Sequence, residues 1–224
     1  MKGLAGCRGA LSSVLLAARA SVAPPTPTRQ RIEMGNRARQ GIAGVLIAIV
    51  TILAAPAASR AEVAELLQKL NLTAYRSGTR PPEFNGRTAD GRTVSLASQR
   101  GRVILLNFWA TWCQECRPEM PVFEGLHREH APHGLSIMGI NAREGTAAIR
   151  GYAKELGLTF PLILDPNGEI NALYGVIGLP TTFFIGRDGR AVALSVGPRD
   201  WASAPARALI QALLAEPATR KATR

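Results

Sequence analysis

Seven consecutive positions from Val103 to Trp109 (VILLNFW) are apolar except for Asn107. Preceded by Gly101, a run of this kind predicts a strand covered on both faces. Strands are likewise expected over residues 135–141, 161–165, 181–186 and 190–197. Between them the apolar spacing becomes helical, predicting helices over residues 113–128, 146–156, 168–174 and 203–215. A further short helix is expected over 62–72, with Val63, Leu66, Leu67 and Leu70 on one face. Asp90-Gly91 and Asp188-Gly189 read as hairpin turns. Strands alternating with helices, then a hairpin and a last helix, indicate one α/β domain over 81–217. Its mixed central sheet is flanked by helices, and residues 62–80 supply a short helix and a linker before it.

Charge redraws the part of the chain that precedes this domain. The 224 residues hold 27 Lys and Arg against 16 Asp and Glu, a net of +11. Residues 1–60 contain eight basic residues and one acid, which accounts for +7 of it. Residues 41–58 (GIAGVLIAIVTILAAPAA) are apolar and uncharged, and Arg37 and Arg39 precede them. A basic flank, an apolar core and small residues at Ser59 and Ala61 spell a secretory signal over 34–61, cleaved after Ala61. The same run would be roughly 27 Å long as a helix, close to the hydrocarbon thickness, so an uncleaved membrane anchor is the competing reading. Either way the residues beyond it are exported, to the periplasm. Residues 1–33 fit neither role, and Met34 stands at the head of the signal, so translation is expected to begin there instead of at Met1. Leu4-Ala5-Gly6-Cys7 resembles a lipoprotein box but lacks the apolar stretch that should come before it.

Arg220, Lys221 and Arg224 make residues 218–224 a basic tail, and residues 61–219 carry a net of only +1. The charge is therefore read as a targeting feature, and no nucleic-acid partner is expected.

Trp112-Cys113-Gln114-Glu115-Cys116 follows the buried strand and is expected to open a helix. Unpaired N–H groups and the dipole at a helix start favour a thiolate, and two intervening residues bring the sulfurs within bridging reach. Cys113 is the expected nucleophile and Cys116 the resolving cysteine. Half of a zinc site is the alternative, but the third cysteine of the chain, Cys7, lies in the leader.

A second motif, Gly178-Leu179-Pro180-Thr181-Thr182, stands about 65 residues further on, just before a strand. Together with the segments from Asn107 to Cys113, Cys116 to Pro121 and Phe183 to Ile185, and with Asp188-Gly189, it resembles the thioredoxin superfamily. The resemblance is to the exported TlpA-like and ResA-like thiol-disulfide oxidoreductases and covers about residues 80–216. It implies a thioredoxin-like fold with an N-terminal hairpin and a central βα insert. It also implies a cis peptide at Pro180 facing the active-site disulfide, with the Leu179 backbone and neighbouring Thr181 beside the client polypeptide. Trp112 would line the site, and Pro121 would bend the active-site helix. No cofactor is implied beyond a redox-active Cys113–Cys116 disulfide, and no metal.

Asn107 departs from the buried aspartate of cytosolic thioredoxins and cannot act as a base. Glu119 matches the glutamate that ResA-like proteins place near the buried cysteine, and it is expected to accept the Cys116 proton with a pKa raised by burial. Glu115 disfavours a thiolate, which predicts a reductase with a Cys113 pKa of roughly 7–8. His127, His130 and His133 are read as polar groups capping a helix end, and Trp201 as packing.

These features point to a reductase that takes electrons from a membrane thiol-disulfide transporter and passes them to oxidised cysteines of client proteins. Cytochrome c maturation and oxidase copper-site assembly are the implied client classes. The alternatives are a copper-handling assembly protein that uses the CxxC cysteines and a histidine, and a peroxidase. The latter would use a lone cysteine, unlike this motif.

Overall fold

The computed structural model describes residues 58–217. They belong to one unit of the chain. The expected signal or anchor up to residue 57, the Met34 start, Cys7 and the tail at 218–224 lie outside the described residues. Among the described residues no helix is long and apolar enough to cross a membrane.

The chain runs α1 (Ala58–Lys69), β1 (Thr73–Ala74), β2 (Asn85–Arg87), β3 (Thr93–Ser95), β4 (Val103–Trp109) and α2 (Glu119–His130). It continues with β5 (Leu135–Asn141), α3 (Thr146–Leu156), β6 (Leu162–Ile163), α4 (Glu169–Leu173), β7 (Thr181–Ile185), β8 (Ala191–Val196) and α5 (Ala204–Ala215). Six strands form a mixed sheet in the order β1-β8-β7-β4-β5-β6, and β2 and β3 form a separate hairpin. Strand β4 is parallel to β5 and antiparallel to β7. The expected α/β thioredoxin-like architecture is the one found.

The buried run of β4 has its cause in two cores. Successive side chains of a strand point to opposite faces. Val103, Leu105 and Trp109 join Phe123, Leu126, Trp201 and Leu209 on one side. Ile104, Leu106 and Phe108 join Phe84, Tyr174 and Phe183 on the other. Asn107 is the polar exception; its amide donates to Thr182 Oγ1 at 3.0 Å.

Two expectations about helices change. Helix α1 starts at Ala58 and stops at Lys69 instead of spanning 62–72, so the expected cleavage after Ala61 falls within it. Asn71 takes a left-handed conformation (φ 50°) just beyond its end. Helix α2 begins at Glu119, six residues later than expected. Residues 110–118 are instead a chain of turns in which the N–H groups of Cys113, Cys116 and Glu119 each donate three residues back, at 3.1–3.2 Å. The cause is Pro121. It lacks the N–H that an earlier start would need, but within the first helical turn none is required. Pro121 therefore limits where α2 starts and does not bend it by removing a ladder bond.

Gly139, on β5 beside β4, is a close approach. A Cβ there would lie 2.8 Å from Trp109 Nε1 and 3.0 Å from Leu162 Cδ2. Gly139→Ala is expected to destabilise the fold by about 1–3 kcal/mol, read as a lower urea midpoint at unchanged slope. An unchanged midpoint would show that Trp109 moves freely.

Candidate active site

The end of β4 delivers the chain to Thr111, Trp112 and Cys113. The turn is held from β5: Glu144 Oε2 accepts the Thr111 N–H at 2.7 Å, and its Oε1 accepts the Thr111 hydroxyl. Asn141 in turn fixes Glu144, donating its amide to Oε2 at 2.7 Å and accepting the Glu144 N–H at 3.1 Å. Sequence reasoning missed Asn141 and Glu144. They lie 30 or more residues beyond the turn, and no local motif marks them.

Cys113 and Cys116 form a disulfide with Cα atoms 5.3 Å apart. Cys113 is 7% exposed and Cys116 1%, so the order of accessibility is the expected one even though both are largely covered. The Cys116 N–H points at Cys113 Sγ at 3.2 Å. A local N–H thus does what was expected of the α2 terminus, which starts only at Glu119. Such a donor favours a thiolate on Cys113.

Glu119 is 4% exposed. Its Oε1 accepts the Arg199 N–H at 2.8 Å and the Trp201 indole N–H at 2.7 Å, while Oε2 has no partner among the described residues. Burial pushes the carboxyl up to about 7, the Arg199 and Trp201 donors oppose that rise, and Glu115 adds to it. Arg199 also ties this corner to the end of α1, donating to Leu70 O at 3.1 Å and Asn71 O at 3.2 Å. Trp201 is therefore more than the packing residue expected. It stands 82 positions from Glu119, and only the fold brings them together.

The Leu179–Pro180 peptide is cis. An open groove of about 400 Å³ is lined by Trp112, Cys113, Arg143, Ile177 and Leu179, among others. Trp112 is 67% exposed there. The N–H and C=O of Leu179 take no hydrogen bond among the described residues. Pro180 itself is buried behind Leu179, its carbonyl accepting the Gly197 N–H at 2.8 Å. Thr181 is buried and donates its hydroxyl to Gly178 O at 2.7 Å. Of the predicted client-facing set, Trp112 and Leu179 line the groove with Cys113, whereas Pro180 and Thr181 are buried.

Asn107 Oδ1 is buried without a partner among the described residues. The histidines stand at the far end of α2 from the disulfide. His130 is buried, and His127 packs its ring 6.1 Å from that of Phe160, so these two are not the surface caps expected.

Glu119 links the site to stability through its proton. Below about pH 4.5, the ordinary value, it is protonated in the folded and the unfolded chain alike. Between there and about 7 the unfolded chain ionises first, so the contribution present at low pH is lost as pH rises. Relative to wild type, Glu119→Gln is expected to gain about 2–3 kcal/mol between pH 4.5 and 8, measured by denaturant unfolding. A difference independent of pH would show that Glu119 ionises normally.

A model of the AhpC/TSA family matches residues 77–193. The thiol-disulfide oxidoreductase ResA of Bacillus thuringiensis subsp. konkukian is 36% identical over 115 residues, which cover 51% of this chain and 66% of that protein. The chain thus spans about two thirds of that relative's length. The thioredoxin-like protein YneN of Bacillus subtilis is 38% identical over 125 residues, 54% of this chain and 72% of that one. Among solved structures, a putative thiol:disulfide interchange protein DsbE from Chlorobium tepidum superposes with a TM-score of 0.58 at 29% identity. That match covers 63% of this chain and 99% of the other. With its matching fold and its CxxC disulfide, the chain belongs to the AhpC/TSA family and, within the thioredoxin superfamily, to the ResA-like thiol-disulfide oxidoreductases.

Proposed function

We propose that this chain is an exported, periplasmic protein-disulfide reductase. The observation that carries the reading is the Cys113–Cys116 disulfide at a groove that Leu179 also lines, with its peptide groups unbonded among the described residues. An extended client segment can add to Leu179 as a strand, gaining affinity from main-chain hydrogen bonds beside the sulfur under attack.

In the reduced protein the Cys113 thiolate attacks one sulfur of a client disulfide. A mixed disulfide forms, and the other client sulfur leaves as a thiolate and takes up a proton. Cys116 then gives its proton to the Glu119 carboxylate and attacks Cys113 Sγ. The Cys113–Cys116 disulfide forms, and the second client thiolate is released. Two electrons pass from the cysteine pair to the client, and a membrane thiol-disulfide transporter restores them. No group beyond the two sulfurs and a proton acceptor is needed. Glu119, with a pKa of about 7, can take or return a proton near neutrality.

Export rests on the basic flank and apolar run before the domain, cleaved or retained as an anchor. The client class, cytochrome c maturation or oxidase copper-site assembly, rests on the family resemblance.

Cys116→Ser is expected to accumulate mixed disulfides with exported proteins, resolvable by reductant on a gel, and Cys113→Ser none. Reduced wild type should turn over insulin disulfides. Glu119→Gln should slow release at least tenfold while leaving the first attack unchanged. The Cys113 pKa should lie at roughly 7–8 and the potential well below the −120 mV typical of strong oxidants. Absence of trapped species together with inert insulin would overturn the reading.

A further inference from the structure

The groove beside Cys113 contains one charge that the mechanism does not use. Arg143 lies just after β5 in left-handed backbone (φ 63°), a region that residues with a side chain rarely adopt. Its N–H donates to Asp165 O at 3.2 Å, and its side chain crosses Gly168. A Cβ at Gly168 would lie 2.5 Å from Arg143 Nε, so the glycine leaves the space that the arginine occupies. Backbone conformation and a missing Cβ thus fix the place of this side chain over Gly168, and Arg143 lines the same groove as Cys113, Trp112, Ile177 and Leu179.

The guanidinium makes no hydrogen bond or ion pair to any described residue. The carboxylates around it are already committed. Glu144 is taken by Thr111 and Asn141. Asp165 accepts the Ile170 N–H at 3.2 Å, and the Asn171 N–H and amide at 2.8 and 2.7 Å. Two apolar side chains of the rim are open, Trp112 at 67% and Ile177 at 94% exposed. A cation unpaired among the described residues, beside two exposed apolar side chains and unbonded peptide groups, suits an extended polypeptide with one carboxylate and apolar neighbours.

We propose that Arg143 is a specificity residue that selects client segments bearing an aspartate or glutamate close to the cysteine under attack. This rests on the reductase reading above and adds the sequence class of the client. The fork of the guanidinium takes the carboxylate, Leu179 pairs with the client backbone, and Trp112 and Ile177 cover an apolar side chain. An exposed ion pair alters binding several-fold and not by orders of magnitude, so the preference is graded.

The test uses the full chain, reduced, and peptides with a single cysteine blocked as a mixed disulfide with 2-thiopyridine, a neutral leaving group read by absorbance. Asp, Asn or Lys is placed two residues before or after the cysteine. At low ionic strength the Asp peptide in the favoured register should react about fivefold faster than its Lys counterpart, and salt at about 0.5 M should shrink the ratio. Arg143→Gly, which suits the left-handed backbone, should bring the ratio to its value with free dithiothreitol. Arg143→Glu should invert it. Equal Asp and Lys ratios in wild type and Arg143→Gly would overturn the proposal while leaving the reductase reading intact. Failure of wild type to react with any peptide would remove that reading, and this proposal with it.

Discussion

Strand β4 has to be buried on both faces and paired on both edges, and the site follows from that constraint. Parallel pairing with β5 aligns Trp109 with Asn141, so Glu144, three residues on, reaches back to Thr111. Antiparallel pairing with β7 sets Phe108 opposite Thr181. The chain entering β7 therefore passes the chain leaving β4, which brings Leu179 and Pro180 beside Cys113 although 66 or more residues separate them. Two cores hold this register, since a slip of one residue would turn every apolar side chain of β4 to the wrong face.

The polar groups near this end of the sheet are under-satisfied, which is where reactivity can reside. Glu119 uses one carboxylate oxygen for two donors and leaves the other bare, and Asn107 leaves Oδ1 bare. A buried acceptor without a partner costs free energy unless a proton or another donor reaches it. For Glu119 the proton is the remedy, which is why burial, and not a neighbouring charge, dominates its raised pKa. Asparagine has no such remedy, so Asn107 remains a structural group bonded to Thr182.

Much of this was legible along the chain, because strands of an α/β sheet advertise themselves as apolar runs. β4 and β5 have their predicted bounds, as does α3, and the Asp90-Gly91 hairpin is where its turn residues place it. The start of α2 was not, since apolar spacing continues through 113–118 while Pro121 withholds the hydrogen bond that a longer helix would need. Trp201 and Arg199 were invisible as partners of Glu119: an indole and a backbone N–H carry no spacing signal across 80 residues. His130 read as a polar surface residue, and the packing at the end of α2 buries it.

By itself the amino-acid sequence determined the chemistry: two cysteines with two residues between them after a buried strand, a proline before another, and a glutamate three residues past the second cysteine. These are local properties, set by residue type and spacing. The surroundings that tune that chemistry were decided by tertiary structure alone. Which donors hold Glu119, how deeply it is buried, and that Arg143 and Leu179 face the same groove as Cys113 all depend on contacts between distant segments. Desolvation and hydrogen bonding act through space, so no local pattern of residues could carry them.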